Sequence, residues 1–128
     1  MAENKIEEFL IDLKYTYREV EHNFWLLEDP EHSLEGVAII YAHPLVIIRV
    51  QVMDAPKEKR LECFTKLLEL NAGDLVQGAY GIEKEKIILI ETCEYDNLNY
   101  SEFRAILDAF SLVLTQHYPV LSAFRNVS

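Results

Sequence analysis

The residue types in this chain that could do chemistry are few and scattered. Its four histidines, His22, His32, His43 and His117, fall in four separate segments. No two stand at the spacing of a helical or hairpin metal site, and HExxH and CxxC are both absent. His22 and His117 read as partly buried polar side chains, and His32 and His43 as loop positions. Nucleophilic catalysis needs a hydroxyl exposed on a sharp turn beside a base. Ser33, Ser101, Ser111 and Ser122 have no GxSxG around them, and Ser101 is better placed as a helix cap. The glycines of GDLVQGAYG precede a strand and lack the Lys-Ser or Lys-Thr of a phosphate loop. The acidic pairs Glu7-Glu8, Glu28-Asp29 and Glu94-Asp96 have the chemistry of acid–base groups or Ca²⁺ ligands, but they fall in no EF-hand loop and read as solvated helix faces and turns. Cys63 and Cys93 are in neither a metal nor a redox spacing and read as buried free thiols. The expectation is a chain that is not an enzyme, with no catalytic residue, no cofactor and no metal site.

Bulk properties agree with a binding protein. The 128 residues fit one domain, residues 1–128, with 50% hydrophobic and 27% charged residues. A chain of this size buries roughly two-thirds of its unfolded surface. A net charge of -10 opposes nucleic acid, which selects clustered Lys and Arg, and also anionic membranes. Nothing approaches the ~20 apolar residues of a membrane span. The acidic start MAENKIEEFL lacks the basic and apolar regions of a secretory signal, so a cytoplasmic location is expected.

The elements that must position any site follow from periodicity. Ile6, Phe9, Leu10, Leu13 and Tyr17 recur at helical steps, predicting a first helix over Glu3 to about Arg18. Glu19 to Glu28 predicts one strand, and GVAIIYA and LVIIRVQVM, separated at His43-Pro44, predict two more. Asp54-Ala55-Pro56 offers a helix start, and Leu61, Phe64, Leu67 and Leu68 make the stripe of a second helix, with Gly73 placed to end it in a left-handed conformation. Leu75–Ile82 and Lys86–Cys93 predict a hairpin around Glu83-Lys84-Glu85. Asn99 or Ser101 caps a third helix carrying Phe103, Ile106, Leu107, Phe110, Val113, Leu114 and His117, which Pro119 should interrupt. The order is αβββαββα: an α+β fold, an antiparallel sheet with helices packed mainly on one face.

Apolar residues exceed what one covered sheet face needs. On strand parity Trp25, Leu27, Ile47, Met53, Tyr80 and Tyr95 point away from the helices. Taken singly, each reads first as a residue that finishes the core; collectively they suggest a second face, buried by dimerisation or by a bound ligand, because monomers seldom expose a large apolar patch.

The segment LLELNAGDLVQGAYGIEKEKIILIETCEYDNLNYSEFRAILDAF, within the αβββαββα order and the small acidic chain, resembles the type III secretion chaperone-like superfamily, including YbjN-like proteins. The resemblance implies a homodimer that holds an extended segment of a partner protein, such as a secreted client, and it implies no catalytic residue. It places the dimer interface at Leu61, Phe64, Leu67 and Leu68, with Tyr80 and Ile88 as neighbours. It places partner contacts at Phe9, Leu13, Trp25, Ile47 and Arg49. The short, plain C-terminus keeps open a YbjN-like regulatory or sensory interaction domain without a secreted client. The acidic clusters keep open a small-ligand or Ca²⁺-binding protein.

Overall fold

A computed structural model describes residues 4–125. The elements are α1 (Lys5–Leu13), β1 (Tyr17–Glu21), β2 (Phe24–Asp29), β3 (Leu34–Ala42), β4 (Leu45–Asp54), α2 (Arg60–Gly73), β5 (Ala79–Glu83), β6 (Lys86–Glu94) and α3 (Tyr100–Ser122). The strands form one antiparallel sheet in the order β1-β2-β3-β4-β6-β5. The α+β class is as the hydrophobic pattern predicts.

Several boundaries differ from that pattern for identifiable reasons. The expected single strand over Glu19–Glu28 is the β1–β2 hairpin, turned at His22-Asn23 with Asn23 at φ 63°. Asparagine tolerates that left-handed conformation without glycine. The first helix stops at Leu13 because Lys14 is left-handed (φ 61°) and its N–H donates to the Ile11 carbonyl, 3.1 Å. Asp54 and Pro56 do not start α2, which begins at Arg60 after a left-handed Lys59. Gly73 is the last residue of α2, and it is not left-handed; Asp74 ends the helix in a right-handed conformation. Pro119 does not break α3: it occupies an exposed position in the last turn, and the helix continues to Ser122. The expected start of the first helix at Glu3, and the tail after Arg125, lie outside the described residues.

Other local signals act as read. The Asn99 side chain caps α3, its Oδ1 accepting from the Glu102 N–H at 2.8 Å while its Nδ2 donates to the Glu102 carboxylate at 2.9 Å. Lys84 and Glu85, both at positive φ, make the two-residue β5–β6 turn. Gly78 (φ 82°) is required twice over: a side chain there would be strained, and its Cβ would come within 3.1 Å of Phe110.

Alternation along the strands sends Trp25, Leu27, Val37, Ile39, Val46, Ile48, Ile87 and Leu89 into the core. Ile6 and Leu10 from α1, Cys63, Leu67 and Leu70 from α2, and Phe103, Leu107 and Phe110 from α3 meet them there. Phe103 and Phe110 are fully buried, each contributing roughly 1.5–3 kcal/mol. Among the described residues, the helices that supply this core all pack on the same face of the sheet.

Candidate functional site

Helix α2 bears two apolar stripes rather than one. Cys63, Leu67 and Leu70 are buried, whereas Leu61, Phe64 and Leu68 recur at steps of three and four on the outer side. Leu61 is 79% exposed and Leu68 68% exposed, and the Arg60 guanidinium lies over the half-buried Phe64 ring, 5.1 Å from its centroid. Of the residues expected at a dimer interface, Leu67, Tyr80 and Ile88 are therefore buried within the chain, and Leu61, Phe64 and Leu68 face outward. Ile88 pairs with Gln51 and Gly81 on the sheet face opposite the core.

Between α2 and the edge strand β5 runs a groove of about 260 Å³, lined by Phe64, Leu67, Leu68, Asn71, Tyr80 and Ile82. Asn71 spans one end of it. Its Oδ1 accepts from the Tyr80 N–H at 2.8 Å and its Nδ2 donates to the Tyr80 carbonyl at 3.2 Å.

A second apolar surface is the sheet face away from the helices. Cross-strand register lines up Phe24 with Ile40, Ile40 with Ile47, and Leu26 with Ala38. All five are partly buried, and Arg49, opposite Ala38, reaches across β6 to Glu83 with Nη2 2.7 Å from Oε1. That hydrogen bond and the guanidinium charge hold the Glu83 carboxyl below the usual carboxylate range.

The expected partner contacts separate between this face and the interior. Ile47 and Arg49 lie on the open face. Trp25 does not; it is 1% exposed, and its indole N–H donates to the Glu7 carboxylate at 3.2 Å, tying β2 to α1. Phe9 packs on Phe103 and Tyr100 with ring centroids 5.4 and 5.9 Å apart, and Leu13 packs against the core, so both seat α1. Leu27, Met53 and Tyr80 also belong to the core rather than the outer face. Tyr95 stacks on Tyr41 at 4.1 Å with the Lys5 ammonium 4.3 Å from its ring centroid. Trp25 pairs with Glu19 and Leu27 with Tyr17, so the odd-numbered residues share one face across the turn; that face is the one under the helices, and Phe24 and Leu26 join the open face in place of Trp25 and Leu27.

Two polar networks reach into the interior. The Tyr80 hydroxyl is 2.7 Å from His117 Nδ1, and His117 Nε2 is 3.5 Å from the Asp74 carboxylate. Burial pushes the Tyr80 phenol well above its usual value, and the Asp74 charge adds to that, so it stays protonated. Asp29 is buried at the end of β2, accepting from the N–H groups of Thr16 (2.9 Å) and His32 (3.1 Å) and lying 2.8 Å from His32 Nδ1. Burial pushes its carboxyl up, but the hydrogen bonds from Thr16 and His32 outweigh this and hold it below the usual range. Among the described residues no three His, Cys, Asp or Glu side chains gather where a metal ion could sit. Both cysteines are free thiols, Cys63 buried and Cys93 partly so. Among the described residues no helix is long and apolar enough to cross a membrane.

The CesT_Tir_1 family model matches residues 1–126. No curated protein matches the chain. Among solved structures, YbjN from E. coli, a candidate transcription regulator, superposes with a TM-score of 0.66 at 12% identity, covering 94% of this chain and 93% of its own. The ExoU–SpcU complex of the type III secretion system of Pseudomonas aeruginosa contains a chain with a TM-score of 0.65 at 10% identity, covering 92% and 98%. The ExsC–ExsE complex gives 0.54 at 11% identity, covering 97% and 96%.

Proposed function

This chain belongs to the CesT_Tir_1 family, a type III chaperone family, and from that premise we propose that it is a non-enzymatic protein-binding chaperone acting in the cytoplasm. The observation that carries the reading is the outer side of α2, where Leu61 and Leu68 are exposed in the single chain with the half-buried Phe64 between them, although nothing in helix formation requires it. A second copy of the chain covers this stripe, forming a homodimer with Leu67 and Tyr80 supporting it from beneath. The open sheet face, with Phe24, Leu26, Ile40 and Ile47 and the polar handle Arg49, holds an extended apolar segment of a partner protein.

The experiment is co-expression with proteins encoded beside this one, followed by purification, light scattering and cross-linking. A dimer bound to one extended partner segment, with cross-links at Ile47 or Arg49, is the expected result. A monomer at micromolar concentration contradicts the homodimer, and a partner whose binding is indifferent to Ile47→Asp contradicts the assignment of the sheet face.

The likeness to YbjN favours a second reading, a regulatory interaction domain that dimerises without a secreted client. Such a protein acts by contacting other proteins rather than DNA, since the net charge of -10 repels phosphates. A stable homodimer that captures a non-secreted regulatory protein distinguishes it from the first.

A further inference from the structure

We propose that Asn71 is an edge guard: its side-chain amide stands where the peptide group of a seventh strand would pair with β5, and so prevents strand addition at that edge. An edge strand presents a row of unpaired N–H and C=O groups and templates pairing with another chain unless it is blunted. The two edges of this sheet are blunted differently. β1 (YREVE) carries Arg18, Glu19 and Glu21 and a register shift between Glu19 and Glu21. β5 (AYGIE) has one charge, Glu83, and is flanked by the apolar groove with Phe64 and Leu68. By composition β5 is the edge that invites pairing.

Both backbone groups of Tyr80 bond to Asn71, so they point away from β6. In an antiparallel ladder alternate residues point outward, which makes Tyr80 and Ile82 the outward-facing pair within this short strand. Asn71 satisfies the first completely, with the paired donor and acceptor that a neighbouring strand would supply. Only Ile82 is left, and one residue does not make a ladder. A protein that uses the outer face of α2 therefore docks there by side-chain packing, not as an added strand. The guard is a property of this chain alone and stands whether or not a client is bound.

Asn71→Leu removes the amide and keeps the branching at Cγ. In the Ile82→Lys background, which keeps the edge unpaired, hydrogen exchange followed by NMR should show that Asn71→Leu makes the Tyr80 amide exchange at least 10-fold faster, while the Gly81 amide, which points toward β6, is unchanged. At micromolar concentration light scattering of Asn71→Leu alone should show species larger than the wild-type assembly, and adding Ile82→Lys should reverse them by placing a charge on the freed edge. An unchanged Tyr80 exchange rate overturns the proposal. So does fast exchange without new assembly, and so does assembly that survives Ile82→Lys. If Asn71→Leu cannot be purified folded, Asn71→Asp carries the test: it keeps an acceptor for the Tyr80 N–H and loses the donor to its carbonyl. The same assembly, reversible by Ile82→Lys, is then expected at higher protein concentration, and its absence is equally decisive.

Discussion

The Tyr80 hydroxyl and His117 Nδ1, 2.7 Å apart, join the edge strand β5 to the C-terminal half of α3 inside the protein. Tyr80→Phe keeps the ring and leaves a His117 nitrogen buried without that partner. An unfolding free energy lower by about 1–3 kcal/mol is expected, measured by urea titration at neutral pH. A change below about 0.5 kcal/mol would mean that water replaces the hydroxyl without loss.

The two stripes of α2 predict opposite outcomes for neighbouring residues. Leu68→Asp, on the outer side, should leave stability within about 0.5 kcal/mol per chain and convert the proposed dimer to a monomer in light scattering. Leu67→Asp, at a site 4% exposed, should unfold the chain, because an unpaired buried charge costs several kcal/mol. If Leu68→Asp remains dimeric, the second copy binds elsewhere.

Asp29 gives the protein a defined acid sensitivity. Its folded-state carboxyl titrates below its unfolded value, so its contribution is fully present above the unfolded value near pH 4 and is lost as pH falls through the folded value. Asp29→Ala should cost about 2–3 kcal/mol at pH 7, with the gap to wild type narrowing steadily below about pH 4. Urea titrations at pH 7 and pH 3 test this. A gap independent of pH would assign the loss to packing.

Two glycines should respond with opposite signs. Gly78→Ala combines positive φ with a Cβ 3.1 Å from Phe110 and should destabilise by about 1–3 kcal/mol. Gly73→Ala, with nothing within 4 Å at the end of α2, should stabilise by about 0.5–1 kcal/mol. Thermal melts of the two variants side by side decide it.

Much of the fold is legible in the sequence because its signals are local. Asn99 and the 3.6-residue pattern from Phe103 to Val113 mark α3, and Glu83-Lys84-Glu85 marks the β5–β6 turn. The stretch from Glu19 to Leu27 is harder because apolar residues occur at both parities, and the turn carries neither glycine nor proline. Trp25 and Leu27 face the helices, and the bond of the Trp25 indole to Glu7 of α1 that marks this side is not local in sequence. On α2, Leu61, Phe64, Leu67 and Leu68 look like one broad stripe until the partner surface is known; Leu67 faces the sheet and Leu68 does not. The contacts of Tyr80 with Asn71 and His117 join separate elements, and no local pattern announces them.

The strand order carries a kinetic consequence. β1 to β4 form a meander in which each strand pairs with its successor, and β5 and β6 form a hairpin. One seam, β4 against β6, joins these two parts, bringing Asp54 to Lys86 and Leu45 to Glu94 with all of α2 and β5 looped out between them. Loop-closure entropy falls on that seam before its ladder forms, whereas the hairpins on either side close locally. The topology predicts that the two locally closed pieces form first and that their joining sets the folding rate.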